Sequence, residues 1–257
     1  PLTTDSFLMH LTILRFDSLA STNTEAARQA ERGAMEGLCV VAREQTAGRG
    51  RQERVWVSPA DAGLYFSIVL RPRLSLESWP LITLMAALAV AVALEEACAL
   101  RTDIKWPNDI CARGRKLCGI LAETLETEAG RALVLGIGIN LNDRALTPEL
   151  RDVATSVEAV TNIKTDVEVL LRALTRALSL RYDALQAEGG PARVLSEWTA
   201  RSSYAEGKRV RVSLGAEILE GVTRGLESDG ALRVETDGGE IRTVRAGDVE
   251  TLRGEGA

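Results

Sequence analysis

Four short segments carry side chains whose types and spacing could do chemistry. The first is Gly48-Arg49-Gly50-Arg51, extending to Arg54 and Trp56. Glycines let backbone N–H groups approach an anion, and arginines add fixed positive charge, so the set suits a phosphate or a mixed anhydride. It is not a P-loop or a dinucleotide fingerprint, because the required glycine and lysine spacings are absent. The second is Lys105-Trp106-Pro107-Asn108-Asp109, where a cation, a rigid turn, an amide and a carboxylate could position a phosphate with its Mg²⁺. The third is Lys116-Leu117-Cys118-Gly119-Ile120-Leu121, a lysine entering a strand beside a glycine. The fourth is Ser21-Thr22-Asn23, three small polar side chains that could read a polar ligand. Each has a plainer reading. The loop could be a solvated basic loop, the second segment a strand end with an Asn-Asp turn, the third a surface hairpin lysine, and Ser21-Thr22-Asn23 a helix cap.

Composition narrows the chemistry. The chain has 257 residues, enough for one large domain or a medium domain with a small appendage. Its one histidine, His10, excludes His-based triads and multi-His metal sites within a single chain. Acids, bases and charge stabilisers must then be Asp, Glu, Lys, Arg or backbone groups. A net charge of −5 argues against non-specific coating of nucleic acid. Among 31 basic residues only Lys105, Lys116, Lys164 and Lys208 are lysines. A lysine is therefore seldom casual here. The cysteines Cys39, Cys98, Cys111 and Cys118 form no C-x-x-C and sit among apolar residues, as reduced cysteines of a cytoplasmic protein would. The opening PLTTDSFLMHLTIL lacks a signal-peptide pattern, and an apolar run as short as Leu81 to Leu94 is more often a buried helix than a membrane span.

The elements that must position these residues follow from hydrophobic pattern. Strands are expected at Leu11–Phe16, Leu38–Ala42, Gly63–Leu70, Thr102–Lys105, Ile110–Cys111, Leu117–Glu123 and Leu133–Asn140. In the last, Gly136 and Gly138 mark a close backbone approach or a bulge. Helices are expected after Ser21 up to Gly33, over 76–100, over 166–186 and over 191–202. The segment from 76 to 100 is apolar all round and so belongs in the core. Without a clean βαβ alternation, the fold class is α+β with a mixed sheet packed by helices. After Ser203 short alternating strands with DG and DGG turns predict a small all-β module, a barrel of roughly fifty residues with a frayed GEGA tail. The domains are thus 1–203 and 204–257.

Taken together and in this order, QTAGRGR, KWPND, K-L-C-G-I-L and GIGIN resemble the biotin–protein ligases over roughly residues 11 to 200. The β module matches that family's SH3-like C-terminal domain in position and size. The resemblance implies a class II aminoacyl-tRNA-synthetase-like catalytic domain. It also implies a two-step ligase that makes biotinyl-5′-AMP from biotin and Mg²⁺·ATP, then biotinylates a lysine of a biotin carboxyl-carrier protein. It implies that Ser21, Thr22, Asn23, Gln45, Gly48, Gly50, Gly119 and Leu121 serve the biotin side. Arg49, Arg51, Arg54, Trp56, Asn108, Lys116 and Asn140 would serve the nucleotide, with Arg49 to Arg51 in a loop that orders over the adenylate. Lys116, Arg49, Arg51, Lys105 and Asp109 would carry catalysis, with Asp109 near the metal. The expected strand start near residue 11 leaves no room for an N-terminal helix-turn-helix, so neither specific DNA binding nor membrane attachment is expected, and a homodimer is compatible. The family pattern G-R-G-R-x-G-R is broken at Glu53. Glu53 could pair with Arg51 or Arg54 and pre-order the loop, or shift it off the phosphate. A lipoate ligase would need a glycine-run and His-Asp signature that is absent, and an octanoyltransferase would need a reactive thiol, for which Cys118 has apolar neighbours. A non-catalytic biotin-dependent regulator is the remaining rival, disfavoured by the intact lysines.

Overall fold

The computed structural model describes residues 9–215 and 217–252. The first eight residues and the GEGA tail, where the leader and fraying expectations fall, lie outside the described residues. A seven-stranded mixed sheet dominates, built from β1 (Thr12–Leu19), β2 (Leu38–Gln45), β3 (Gly63–Leu70), β4 (Asp103–Lys105), β5 (Asp109–Ala112), β6 (Arg115–Thr127) and β7 (Gly130–Asn140). Its order is β1-β2-β3-β7-β6-β5-β4. β1 and β2 run parallel, joined by α1 (Thr22–Glu31), and the other neighbours are antiparallel. β3 (GLYFSIVL) is buried at every position because helices cover both faces of the sheet. α1 covers one face, where the small side chains of Ala26 and Ala30 pack against Val40, Val69 and Val134.

The other face is covered by α2 (Pro80–Cys98), which packs against α4 (Val167–Gln186) and α5 (Gly190–Arg201). α2 is apolar on all sides because the sheet and the two helices leave it little solvent. It begins later than its pattern suggests. Leu76–Ser78 is a separate 3-10 turn and Pro80 takes the first helical turn, where its missing N–H costs nothing. β6 and β7 extend past the expected ends into a long hairpin, since alternation continues beyond Glu123. The segment between β7 and α4, without clear periodicity, folds into 3-10 turns and the short α3 (Val157–Thr161).

The C-terminal strands β8 (Glu206–Leu214), β9 (Glu217–Leu226), β10 (Leu232–Glu235), β11 (Ile241–Val244) and β12 (Asp248–Thr251) form an antiparallel sheet of SH3-like kind, in the order β11-β10-β9-β8-β12. It is pinned to the larger unit at Gly230, whose carbonyl accepts from Trp106 Nε1 at 3.0 Å. A Cβ at Gly230 would stand 3.0 Å from both Leu81 and Leu84 of α2. α2 thus touches both the mixed sheet and the module. Leu88 on α2 is 1% exposed. Leu88→Ala is expected to lower the unfolding free energy by about 2–5 kcal/mol, read from the urea midpoint at unchanged m-value.

Candidate active site

A cleft of about 960 Å³ opens between the sheet, the arginine loop, the segment after β7 and the C-terminal module. Its floor runs along β6 and β7, where Gly119 pairs with Gly138 and Gly136 with Leu121. A Cβ at Gly138 would lie 2.5 Å from Trp56 Nε1, and one at Gly136 only 2.0 Å from Asn23 Oδ1. Bare backbone is therefore what lets Trp56 and Asn23 lie flat on the sheet. The close approach expected for Gly136 and Gly138 is this one.

The polar end lies at the β1–α1 junction. Ser21 occupies the N-cap position but its hydroxyl makes no cap bond, so capping is not what these three residues do. Thr22 donates both its backbone N–H (2.8 Å) and its hydroxyl (3.0 Å) to Gln45 Oε1. Gln45 Nε2 in turn donates to Ser58 Oγ at 2.8 Å. The Ser67 hydroxyl stands 2.8 Å from Thr22 Oγ1 and 2.6 Å from Asn23 Oδ1. Asn23 Nδ2 donates to Glu123 Oε2 at 2.7 Å. Ser21, Thr22 and Asn23 are each only 4% exposed, so an unpaired partner in this network would cost about 1–3 kcal/mol. Ser58, Ser67 and Glu123 were not among the residues singled out from sequence. Ser67 had a signal: it is a hydroxyl inside an otherwise apolar strand.

The arginine loop closes on itself as a small hairpin. Trp56 N–H donates to Gly48 O at 2.9 Å and Gly50 N–H to Arg54 O at 2.7 Å. Gly48 sits inside this hairpin rather than on the cleft wall, and a Cβ there would meet Trp56 O at 2.3 Å. Arg49 Nη2 donates to Glu123 Oε2 at 2.9 Å. Arg51 Nη1 donates to Asn108 Oδ1 at 3.2 Å and Gly247 O at 3.3 Å, and Arg54 is ion-paired to Asp248. The loop is thus tethered to the C-terminal module by Gly247 and Asp248. Glu53 pairs with neither Arg51 nor Arg54 among the described residues. It stands instead at φ +59°, beside Gln52 at φ +53°. A glycine would adopt that backbone freely, whereas a residue with a Cβ carries a penalty of about 1–2 kcal/mol.

Cations gather opposite the polar end. Lys116 Nζ is 2.6 Å from Asp109 Oδ1 and 5.5 Å from the centre of the Trp56 ring. Asp109 Oδ1 is buried and meets that ammonium outside hydrogen-bonding geometry. Lys105 lies across from Asp109 in the β4–β5 register and also lines the cleft. Asn108 is committed at both ends, with Nδ2 donating to Ile120 O at 2.8 Å, so it anchors Arg51. Asn140 Nδ2 holds Thr155 O at 3.1 Å and so fixes the segment after β7 to the sheet. That segment supplies Leu146, Leu150 and Val153 to the cleft, and the module supplies Tyr204 and Lys208; of these only Lys208 was noted in the sequence, as one of the four lysines. No group of three or more His, Cys, Asp or Glu side chains fit to hold a metal occurs among the described residues. Burial pushes the thiols of Cys39 and Cys111 up to about 12 and that of the fully buried Cys118 higher still, so none is a thiolate near neutral pH.

Two family models match the chain. The biotin/lipoate A/B protein ligase family covers residues 16–140, and the biotin protein ligase C-terminal domain covers residues 207–252. A bifunctional ligase/repressor BirA from Bacillus subtilis is 37% identical, the match spanning 93% of this chain and 73% of the relative. A biotin–[acetyl-CoA-carboxylase] ligase from Mycobacterium tuberculosis is 35% identical over 91% of this chain and 86% of its own. A biotin protein ligase from Aquifex aeolicus, solved in complex with biotin and ATP, superposes with a TM-score of 0.80 at 29% identity, covering 94% of this chain and 99% of that one. With both its catalytic and its C-terminal sheets matched, the chain belongs to the biotin protein ligases.

Proposed function

We propose that the chain is a biotin–[acetyl-CoA-carboxylase] ligase that activates biotin with ATP and transfers it to a lysine of a biotin carboxyl-carrier protein. The observation that carries this reading is the continuity of one cleft, which joins a buried hydrogen-bonding pocket to a cluster of fixed cations. A cyclic urea needs both donors and acceptors on burial, and Ser21, Thr22 and Asn23 offer them. A carboxylate approaching a triphosphate needs positive charge between the two, and Arg49, Arg51 and Lys116 offer that. Residues 1–203 form the ligase domain and 204–257 the module that closes the cleft. A cytoplasmic setting and a homodimer are compatible with it.

In the first step a carboxylate oxygen of biotin attacks the α-phosphorus of ATP. The new acyl–phosphate bond forms as the α–β P–O bond breaks, and pyrophosphate leaves. Lys116 bridges the carboxylate and the α-phosphate, and the Arg49–Arg51 loop stabilises charge on the five-coordinate phosphorus, with Lys105 assisting. Such preorganised donors are worth about 10²–10³ in rate each. Asp109, whose buried Oδ1 accepts no hydrogen bond, would hold the Mg²⁺ that arrives with the nucleotide's phosphates, and the cation would offset phosphate charge there. In the second step a neutral lysine amine of the carrier attacks the acyl carbon. The amide forms, the C–O bond to AMP breaks, and the amine gives up a proton. Trp56 and the arginine loop cover the adenylate, keeping water from hydrolysing it between steps.

Pyrophosphate exchange into ATP tests the reading. Exchange that depends on biotin is expected; exchange that depends on lipoate, or on neither acid, overturns it. Lys116→Ala is expected to slow biotin-dependent exchange by about 10²–10³-fold while cooperative thermal unfolding persists. An unchanged rate removes Lys116 from the chemistry. Cys118→Ala is expected to exchange at the wild-type rate, since a thiol held protonated by burial does no nucleophilic work; loss of exchange in a folded protein would restore a thiol mechanism.

A further inference from the structure

Glu123 lies on β6, two residues beyond the cleft-lining Leu121. One of its oxygens, Oε2, receives two hydrogen bonds, from Asn23 Nδ2 at 2.7 Å and from Arg49 Nη2 at 2.9 Å. These donors belong to the two halves of the site. Asn23 is at the polar pocket and Arg49 is in the loop beside the cations. We infer that Glu123 is a positioning residue that orients the biotin-reading amide and latches the arginine loop over the adenylate through the same oxygen. The inference rests on the ligase reading above.

The coupling starts at Asn23. Its amide nitrogen has two hydrogens. One goes to Glu123 and the other points to Leu121 O at 3.4 Å. With the nitrogen turned to β6, the carbonyl Oδ1 is what Asn23 offers, and Ser67 uses only one of its lone pairs. The pocket thereby presents an acceptor, which fits a urea N–H. The Ser21 hydroxyl, free of any cap bond, is left as a donor for the urea oxygen. Reversing the Asn23 amide would set an N–H against a urea N–H. A carboxylate accepts and never donates, so Glu123 permits one orientation.

Arg49 completes the coupling. Its ion pair with Glu123 is half exposed, with side-chain exposures of 47% and 35%, and such pairs alone contribute little. Here the carboxylate is already held by a buried amide, so the loop is tied to a fixed point. Only Nη2 of the guanidinium is spent on Glu123, which leaves the other N–H groups for the adenylate.

Two substitutions separate the roles. Glu123→Gln keeps an acceptor for Asn23 but removes the charge that holds Arg49. Glu123→Leu removes both. Biotin-dependent pyrophosphate exchange gives KM for biotin and for ATP, and release of biotinyl-5′-AMP from the loaded enzyme gives loop retention. For Glu123→Gln, KM for biotin is expected within about twofold of wild type while release of the adenylate accelerates by about tenfold, the loss of a charged hydrogen bond. For Glu123→Leu, both release and KM for biotin are expected to rise about tenfold or more, with KM for ATP unchanged. Adding Glu123→Gln to Arg49→Ala should then leave release no faster than Arg49→Ala alone. A general loss of folding would instead lower the maximal exchange rate and the melting temperature together with no selective change in adenylate release, and the split in Glu123→Gln would vanish. Wild-type values for either variant, equal changes in all parameters for Glu123→Gln, or additive effects with Arg49→Ala overturn the inference. Wild-type protein without biotin-dependent exchange overturns instead the ligase reading on which it rests.

Discussion

The site depends on the close contact of two side chains with bare backbone. Gly119, Gly136 and Gly138 leave the β6–β7 surface without Cβ atoms where Trp56 and Asn23 come down on it. Any side chain at Gly136 would occupy the place of the Asn23 amide oxygen, and any at Gly138 that of the indole nitrogen. Glycine weakens a strand interior by removing packing and adding chain entropy to the unfolded state. The sheet offsets that by pairing Gly136 and Gly138 with β3, which is buried on both faces along its whole length. A fully buried strand thus supports a strand pair that has given up side chains for function.

Polar order follows from that floor. Asn23 lies on Gly136, Ser67 reaches it from β3, and Gln45 holds Thr22 from the end of β2. Three strands and a helix N-terminus thus meet in one hydrogen-bonded chain, which extends through Gln45 to Ser58 and Trp56 O. The same residues that could read a ligand also tie the start of α1 to β2, β3 and β6. In a low-dielectric setting such a network is stable only when every member is satisfied, and this one is nearly complete before any ligand arrives.

The arginine loop is ordered differently. It contains no buried hydrophobic residue, and its 3-10 turn has two non-glycine residues at positive φ. What holds it is external: Glu123 from the sheet, Asn108 from the β4–β5 turn, and Gly247 and Asp248 from the C-terminal module. The module is therefore part of the cleft as well as a neighbour of it. Its own attachment, through Trp106 and Gly230, lies beside the KWPND turn that carries Asn108 and Asp109.

Much of this was legible in the residues themselves. Buried β3 announces itself as an unbroken apolar run, α2 as an apolar stretch too long for a strand, and the β module as alternation with DG turns, because burial and backbone period write directly into residue order. The motifs around Arg49, Asn108, Lys116 and Gly138 are local too, so their membership of one site follows from resemblance. Tertiary structure alone decided the partners that lie far away in the chain: Ser67 beneath Asn23, Glu123 shared by Asn23 and Arg49, Asp248 on Arg54, and the aperiodic segment carrying Leu146 to Val153. It also decided that Asn108 is an anchor and that Glu53 sits in left-handed backbone instead of pairing with an arginine. The physical reason is common to all of them. Hydrophobic period and turn chemistry are properties of neighbours in sequence, whereas a hydrogen bond between residues a hundred positions apart exists only once the sheet order brings their strands together.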